Sequence, residues 1–187
     1  MWDISKDFHL SYGHRVWSQK LDKDLCARND FQCACRHLHG HEGKVTIHLA
    51  NDELERGMVT DFKHLGFMKD FIDDNLDHKF IIDKNDPGFD SIVSFDYDFL
   101  KDGDYLSDVL VDGLIVGEVI NLSRIEAPSL ADKEVLESFF IVDFLPTSEN
   151  LAKYIYGVTS IKLDELVSGV DWQETAKSIA RYRGIHK

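Results

Sequence analysis

The chain reads as an α+β domain with the order strand, strand, helix, interruption, helix, strand, strand. Three observations predict this class. Apolar residues alternate with polar or small ones in two early segments. An apolar stripe at spacings of three and four follows residue 61. A compositional break then separates the first helix from a second helical segment.

Phe8, Leu10 and Tyr12 alternate, which predicts a strand running to about Val16. Val45, Ile47 and Leu49 predict a second strand, with Met58-Val59-Thr60 extending that hairpin after a turn near Asn51–Gly57. Asp61 can cap a helix beginning at Phe62, whose buried stripe is Phe62, Leu65, Met68, Ile72 and Leu76. Residues 84–143 hold 4 Lys+Arg against 14 Asp+Glu, a net of -10, while the rest of the chain holds 17 against 20. This block reads as an insertion within one domain spanning 1–187. It contains strand-like runs at Gly113–Ile120 and Phe139–Val142, so it is expected to fold, with a solvated surface excursion as its default role. After it, Thr147 is the expected N-cap of a helix that carries Leu151 and Ile155 on one face. Ser160–Leu166 and Val170–Ala180 are the last two predicted strands.

The 187 residues and 43% hydrophobic content fit one globular domain. No apolar run approaches the roughly 18–20 residues of a membrane helix, and the first residues lack a signal-peptide pattern. A soluble, cytoplasmic protein without a membrane or nucleic-acid partner is therefore expected. Net charge -13 argues against nucleic acid and would repel an anionic substrate unless the site were basic or held a metal. Cys26, Cys33 and Cys35 are odd in number and crowded, which points to a reduced compartment and a reactive or metal-bound thiol.

His39-Gly40-His41 stands just before the second strand. Alternate residues of an extended chain face one side, about 6.6 Å apart, so both imidazoles can converge on one ion. Gly40 adds no side chain and lets the backbone bend. His14 would add a third imidazole if the first two strands pair. Three nitrogens at about 2.0–2.1 Å leave one zinc position open, as in catalytic sites. A lone His-x-His also arises often by chance. His9, His37, His48, His64 and His186 read as surface or hydrogen-bonded histidines, His37 being closest to the site. Cys35 is equally a base with a lowered pKa beside the metal, a small buried residue, or a fourth ligand. Asp77-His78 is either surface charge or an oriented proton shuttle. Glu174 is either a solvated strand residue or a buried carboxylate accepting both donors of a pterin or guanine edge.

Taken together these segments resemble the 6-pyruvoyl-tetrahydropterin synthase / 6-carboxytetrahydropterin synthase family. The resemblance rests on Ser11-Tyr12-Gly13-His14-Arg15, Cys35-Arg36-His37-Leu38-His39-Gly40-His41, Gly57-Met58-Val59-Thr60-Asp61-Phe62, Leu76-Asp77-His78, Pro146-Thr147-Ser148-Glu149-Asn150-Leu151-Ala152 and Glu174-Thr175. It covers about residues 5–83 and 144–184. It implies the tunnelling fold (T-fold), an antiparallel β-β-α-α-β-β sheet with helices on one face, and the acidic insertion before the second helix is a departure from it. It also implies a homo-oligomer, a hexamer favoured, with active sites between subunits.

By the same resemblance His14, His39 and His41 would bind Zn2+. Cys35, Asp77 and His78 would be catalytic. Glu174, Thr147 and Ser148 would hold the pterin of 7,8-dihydroneopterin triphosphate. Arg15, Arg181 and Arg183 are candidates for the triphosphate. The carboxy-forming branch carries its cysteine four residues before the first histidine of the pair, as Cys35 is. The pyruvoyl-forming branch carries it six before, where Cys33 stands. The surrounding Leu38-His39-Gly40-His41 favours 6-carboxytetrahydropterin synthase, a lyase feeding 7-deazaguanine (queuosine-type) synthesis. The alternatives are the pyruvoyl-forming synthase and a non-catalytic zinc- or pterin-binding module. The full set of Cys, Asp-His and Glu argues against the module.

Overall fold

The computed structural model describes residues 1–22, 24–25, 33–125 and 129–184. Cys26 and His186 lie outside the described residues. Among the described residues one sheet runs through eight strands: β1 (Trp2–His14), β2 (His39–Asn51), β3 (Lys79–Asp83), β4 (Leu106–Val111), β5 (Leu114–Ile120), β6 (Phe139–Val142), β7 (Val167–Thr175) and β8 (Ser178–Arg183). Five α-helices accompany it: α1 (Gly66–Asn75), α2 (Phe89–Val93), α3 (Tyr97–Asp102), α4 (Leu130–Glu137) and α5 (Ser148–Leu163). The spatial order is β4-β5-β6-β3-β1-β2-β7-β8.

The β2–β1 and β2–β7–β8 pairings are antiparallel, but the expected all-antiparallel sheet is corrected to a mixed one. β3 runs parallel to β1, and β6 runs parallel to β3. A parallel pair needs a crossover of a dozen or more residues. The acidic segment supplies it: between β3 and β6 lie α2, α3, the β4–β5 hairpin and α4. It is therefore part of the sheet's framework, not an excursion from it.

Helices on one face also hold only in part. α1 and α5 pack on one face of the sheet, in a core with Val45, Ile47 and Leu49 of β2 and Ile81 and Phe140 of β3 and β6. The neighbours Ile82 and Ile141 point the other way, into a second core with Phe89, Val93, Leu100 and Leu136 of α2, α3 and α4.

Local corrections have local reasons. Asp61 caps a 3-10 turn over Phe62–Leu65 by accepting from the Lys63 N–H, and α1 follows at Gly66. Leu65, Met68, Ile72 and Leu76 are fully buried, but Phe62 is exposed. Met58–Thr60 is not a strand: a lone bridge between Glu55 and Met58 closes a tight turn whose centre, Arg56 and Gly57, has φ of 53° and 82°. Ser160–Leu163 is helix, because α5 continues the stripe Leu151, Ile155, Val158. The predicted strand Val170–Ala180 is two strands joined at Ala176-Lys177, where the Lys177 N–H donates to Thr175 Oγ1. That turn carries no Gly, Pro or Asn to announce it.

Candidate metal centre and neighbouring cleft

β1 and β2 pair so that His14 stands directly opposite His39, and Tyr12 opposite His41. Residues facing each other across an antiparallel ladder share a face, so all three imidazoles converge. Ring centroids lie 4.5 Å (His14–His39), 5.2 Å (His14–His41) and 4.9 Å (His39–His41) apart. The ligand-type atoms of His14, His39, His41 and Glu174 all lie within 4.8 Å of one another. The close β1–β3 approach next to His14 needs glycine: a Cβ on Gly13 would meet the Phe80 ring at 2.6 Å.

The hydrogen bonds decide which nitrogens are free. His14 Nδ1–H donates to the Pro146 carbonyl at 2.6 Å, and His39 Nδ1–H donates to the His37 carbonyl at 2.8 Å. A carbonyl can only accept, so these rings must carry their protons on Nδ1. That leaves Nε2 as a bare acceptor, the form that binds a metal, with the carbonyls as orienting partners. The Nε2 atoms of His14, His39 and His41 are buried without a well-aligned hydrogen bond. Glu174 Oε1 stands 3.2 Å from His14 Nε2 and 3.0 Å from His41 Nε2. A carboxylate oxygen facing a bare ring nitrogen is two acceptors in confrontation. A proton on the ring or a cation among them relieves it. The residues therefore fit a metal ion.

Burial lowers the pKa of His41 below its usual value, which favours the neutral, ligating form. Glu174 is held down to about 2, chiefly by the His14 imidazole against the opposing effect of burial. Its Oε2 accepts from Ser148 Oγ–H at 3.1 Å. Glu174 thus faces the histidines and is not on a solvated strand face.

A cleft of about 410 Å³ opens beside this cluster, lined by His14, Cys35, Thr147, Ser148, Glu174 and Lys177 among others. Thr147 caps α5 by accepting from the Asn150 N–H at 3.3 Å. Cys35 belongs to the cleft wall but is not among the four residues whose ligand-type atoms converge. Burial first, and the neighbouring Cys33 thiol next, push Cys35 up to about 11. The two sulfurs are 3.3 Å apart.

Asp77 and His78 line a different cleft, of about 590 Å³, with His9, Glu42, Lys44 and Gln173. Asp77 Oδ1 accepts from the Ser11 N–H at 2.7 Å and Oδ2 lies 2.9 Å from His78 Nδ1. Burial opposes ionisation of Asp77, but these donors win and lower its pKa. His78 is 81% exposed and sits at φ 57°, a left-handed conformation held by its N–H donating to the Ser11 carbonyl. One chain thus presents the shuttle and the histidine cluster in separate clefts.

The three candidate phosphate cations are engaged elsewhere. Arg15 pairs with Asp86 at 3.0 Å, and Arg181 and Arg183 pair with Asp171 at 3.5 and 2.6 Å. Lys177 in the cleft wall was not singled out by its sequence context. Nor was Tyr12, whose ring packs 5.2 Å from His14 and 5.7 Å from His41 while its hydroxyl accepts from the Trp172 indole at 2.9 Å. Its place in the strand alternation, two residues before His14, was the available signal. His48 lies against Asp171 at 3.2 Å, and His64 hydrogen-bonds Thr60 at 2.6 Å. Among the described residues no helix is long and apolar enough to cross a membrane.

A sheet-and-helix domain with three histidines converging on its longest strand pair is the arrangement that the family resemblance implies. The chain belongs to the 6-pyruvoyl tetrahydropterin synthase family, whose sequence model matches residues 3–185. A 6-carboxy-5,6,7,8-tetrahydropterin synthase of Aquifex aeolicus is 32% identical, over 97% of this chain and 98% of that one. An uncharacterized Wolinella succinogenes protein of known structure is 42% identical, superposes with a TM-score of 0.85, and covers 98% of both chains. The Caenorhabditis elegans 6-pyruvoyl tetrahydropterin synthase, 19% identical, covers 97% of this chain and 94% of its own at a TM-score of 0.51, which speaks to the fold alone.

Proposed function

We propose that the chain is a zinc-dependent 6-carboxy-5,6,7,8-tetrahydropterin synthase, a lyase converting 7,8-dihydroneopterin triphosphate to 6-carboxytetrahydropterin, acetaldehyde and triphosphate in 7-deazaguanine-type synthesis. The observation that carries it is the cluster of His14, His39, His41 and Glu174, two of whose members, His14 and Glu174, share a cleft with Cys35. The full-length likeness to the Aquifex synthase supports this branch.

His14, His39 and His41 would hold Zn2+, which supplies Lewis acidity to oxygens of the substrate side chain. Glu174, already ionised, accepts from the pterin ring N–H and exocyclic amine, steadied by Ser148. Thr147 fixes the N-terminus of α5 at the cleft wall. Cys35 Sγ exchanges one proton with the substrate, and needs a positive neighbour because burial alone keeps the thiol protonated. His78, oriented by Asp77, exchanges the other proton. Their separate clefts favour a homo-oligomer, a hexamer by family resemblance, in which one subunit's shuttle completes another's centre.

Incubating the zinc-loaded protein with the triphosphate tests the reading. Acetaldehyde should form, Cys35→Ala should abolish it, and Cys33→Ala should not. A pyruvoyl product with Cys33 dependence would assign the other branch. Bound zinc without turnover of any pterin would make it a binding module.

A further inference from the structure

Two carboxylates where β3 leads into the acidic segment, Asp83 and Asp86, reach the active-site wall. Asp83 and Asp86 are both buried, and a buried carboxylate needs partners for its oxygens. Each commits one oxygen to its own turn. Asp83 Oδ1 accepts from the backbone and side-chain N–H groups of Asn85, at 2.9 and 3.0 Å. Asp86 Oδ1 accepts from the Gly88 N–H at 2.7 Å. The other oxygen of each reaches a strap just after His14. Asp86 Oδ2 lies 3.0 Å from Arg15 Nε, and Asp83 Oδ2 accepts from the Trp17 indole N–H at 3.0 Å. Between these anchors the Val16 N–H donates to the Cys35 carbonyl at 2.8 Å. Further along, Arg36 Nη1 donates to the Gln19 carbonyl at 3.1 Å.

We propose that Asp83 and Asp86 are positioning residues for the Cys35 thiol, acting through Trp17 and Arg15 on the strap to which Cys35 is hydrogen-bonded. The strap has no helix or strand of its own over residues 15–22, so its place depends on these side-chain anchors. The proposal rests on the reading of Cys35 as a proton-transfer group. It gives the start of the acidic segment a task at the site, and it accounts for the pairing of Arg15 with Asp86.

Trp17→Phe is the sharp test, because it keeps the ring and removes only the N–H held by Asp83. Asp86→Asn is the second variant. In the zinc-loaded full chain, acetaldehyde formation should lose about 10- to 100-fold in kcat, the cost of a misplaced group, with KM and zinc content little changed. Independently of turnover, alkylation of Cys35 by iodoacetamide, followed in a Cys33→Ala background, should accelerate several-fold. An unchanged Cys35 alkylation rate in folded Trp17→Phe overturns the proposal, as does a fall in activity that only tracks thermal unfolding. If the parent protein forms no acetaldehyde, the assigned reaction fails, and the alkylation comparison still decides the strap's role.

Discussion

Strand β2 buries Val45, Ile47 and Leu49 and leaves the residues between them only partly covered, whereas β6 buries all four of Phe139, Phe140, Ile141 and Val142. The first strand has a helix layer on one side. The second is sandwiched between α1 and α5 on one face and α2–α4 on the other. The difference separates two tasks. Strands covered on one side can extend beyond the core and carry polar side chains at their ends, as β1 and β2 do with the histidines. Strands covered on both sides have only apolar positions and serve as structure. Chemistry and stability should therefore respond separately to substitution at the two ends.

The largest expected effect is at the histidine end. His39→Ala should remove bound zinc and lower acetaldehyde formation at least about 1000-fold, ~4 kcal/mol of barrier. The metal-free variant should unfold close to the metal-free parent, because His39 contributes a ligand and not core volume. Metal analysis and a urea titration of the same preparation check both. Retained zinc in His39→Ala would break the comparison.

Phe140→Ala should do the opposite. Phe140 is fully buried, packs with Phe71 and Tyr154, and sits under Gly117, where a Cβ would meet its ring at 2.4 Å. Truncation leaves a cavity and should cost about 3–5 kcal/mol. Zinc stoichiometry of the folded fraction should stay the same. Stability within about 1 kcal/mol of the parent in urea would mean that the β6 end is not the structural centre.

The two ends also differed in how far they could be read from residues alone. His14, His39 and His41 were legible as residues of one face because strand periodicity is two, once β1 and β2 are taken to pair; the register that sets His14 opposite His39 was not. The Asp61 cap and most of the α1 stripe were legible for the same kind of reason. At the other end β6 was recognisable as a strand, but a run of four apolar residues says nothing about direction or partner. Its parallel pairing with β3 depends on a crossover of more than fifty residues, which no local pattern encodes. At Ser160–Leu163 the alternation of Ile161 and Leu163 with polar residues at the end of a helix looks like a strand. Glu174 was legible as a candidate through the family resemblance, but its approach to His14 and His41 required the β2–β7 register.

A smaller effect should mark the junction of core and site. Tyr12→Phe removes the acceptor of the buried Trp172 indole N–H. Leaving that donor unpaired should cost about 1–3 kcal/mol in urea unfolding. Zinc should still bind, since the Tyr12 ring stays against His14 and His41. A variant as stable as the parent would show that the indole finds another partner.

The smallest effect concerns Glu174 and tests the confrontation of acceptors directly. Its folded pKa of about 2 lies below the ordinary 4.5, with the His14 imidazole as first cause. A depressed carboxyl pKa means that the unfolded chain binds the proton more readily. The stabilisation is then complete above about pH 4.5 and is lost as pH falls towards 2. In metal-free protein the urea midpoint should drop between pH 5 and pH 3, and Glu174→Gln should flatten that drop. The effect requires a positive charge beside the carboxylate, here a protonated imidazole standing where the cation would sit. Equal drops in parent and variant would mean that Glu174 gains nothing from the histidines, and that its approach to them is not the mark of a cation site.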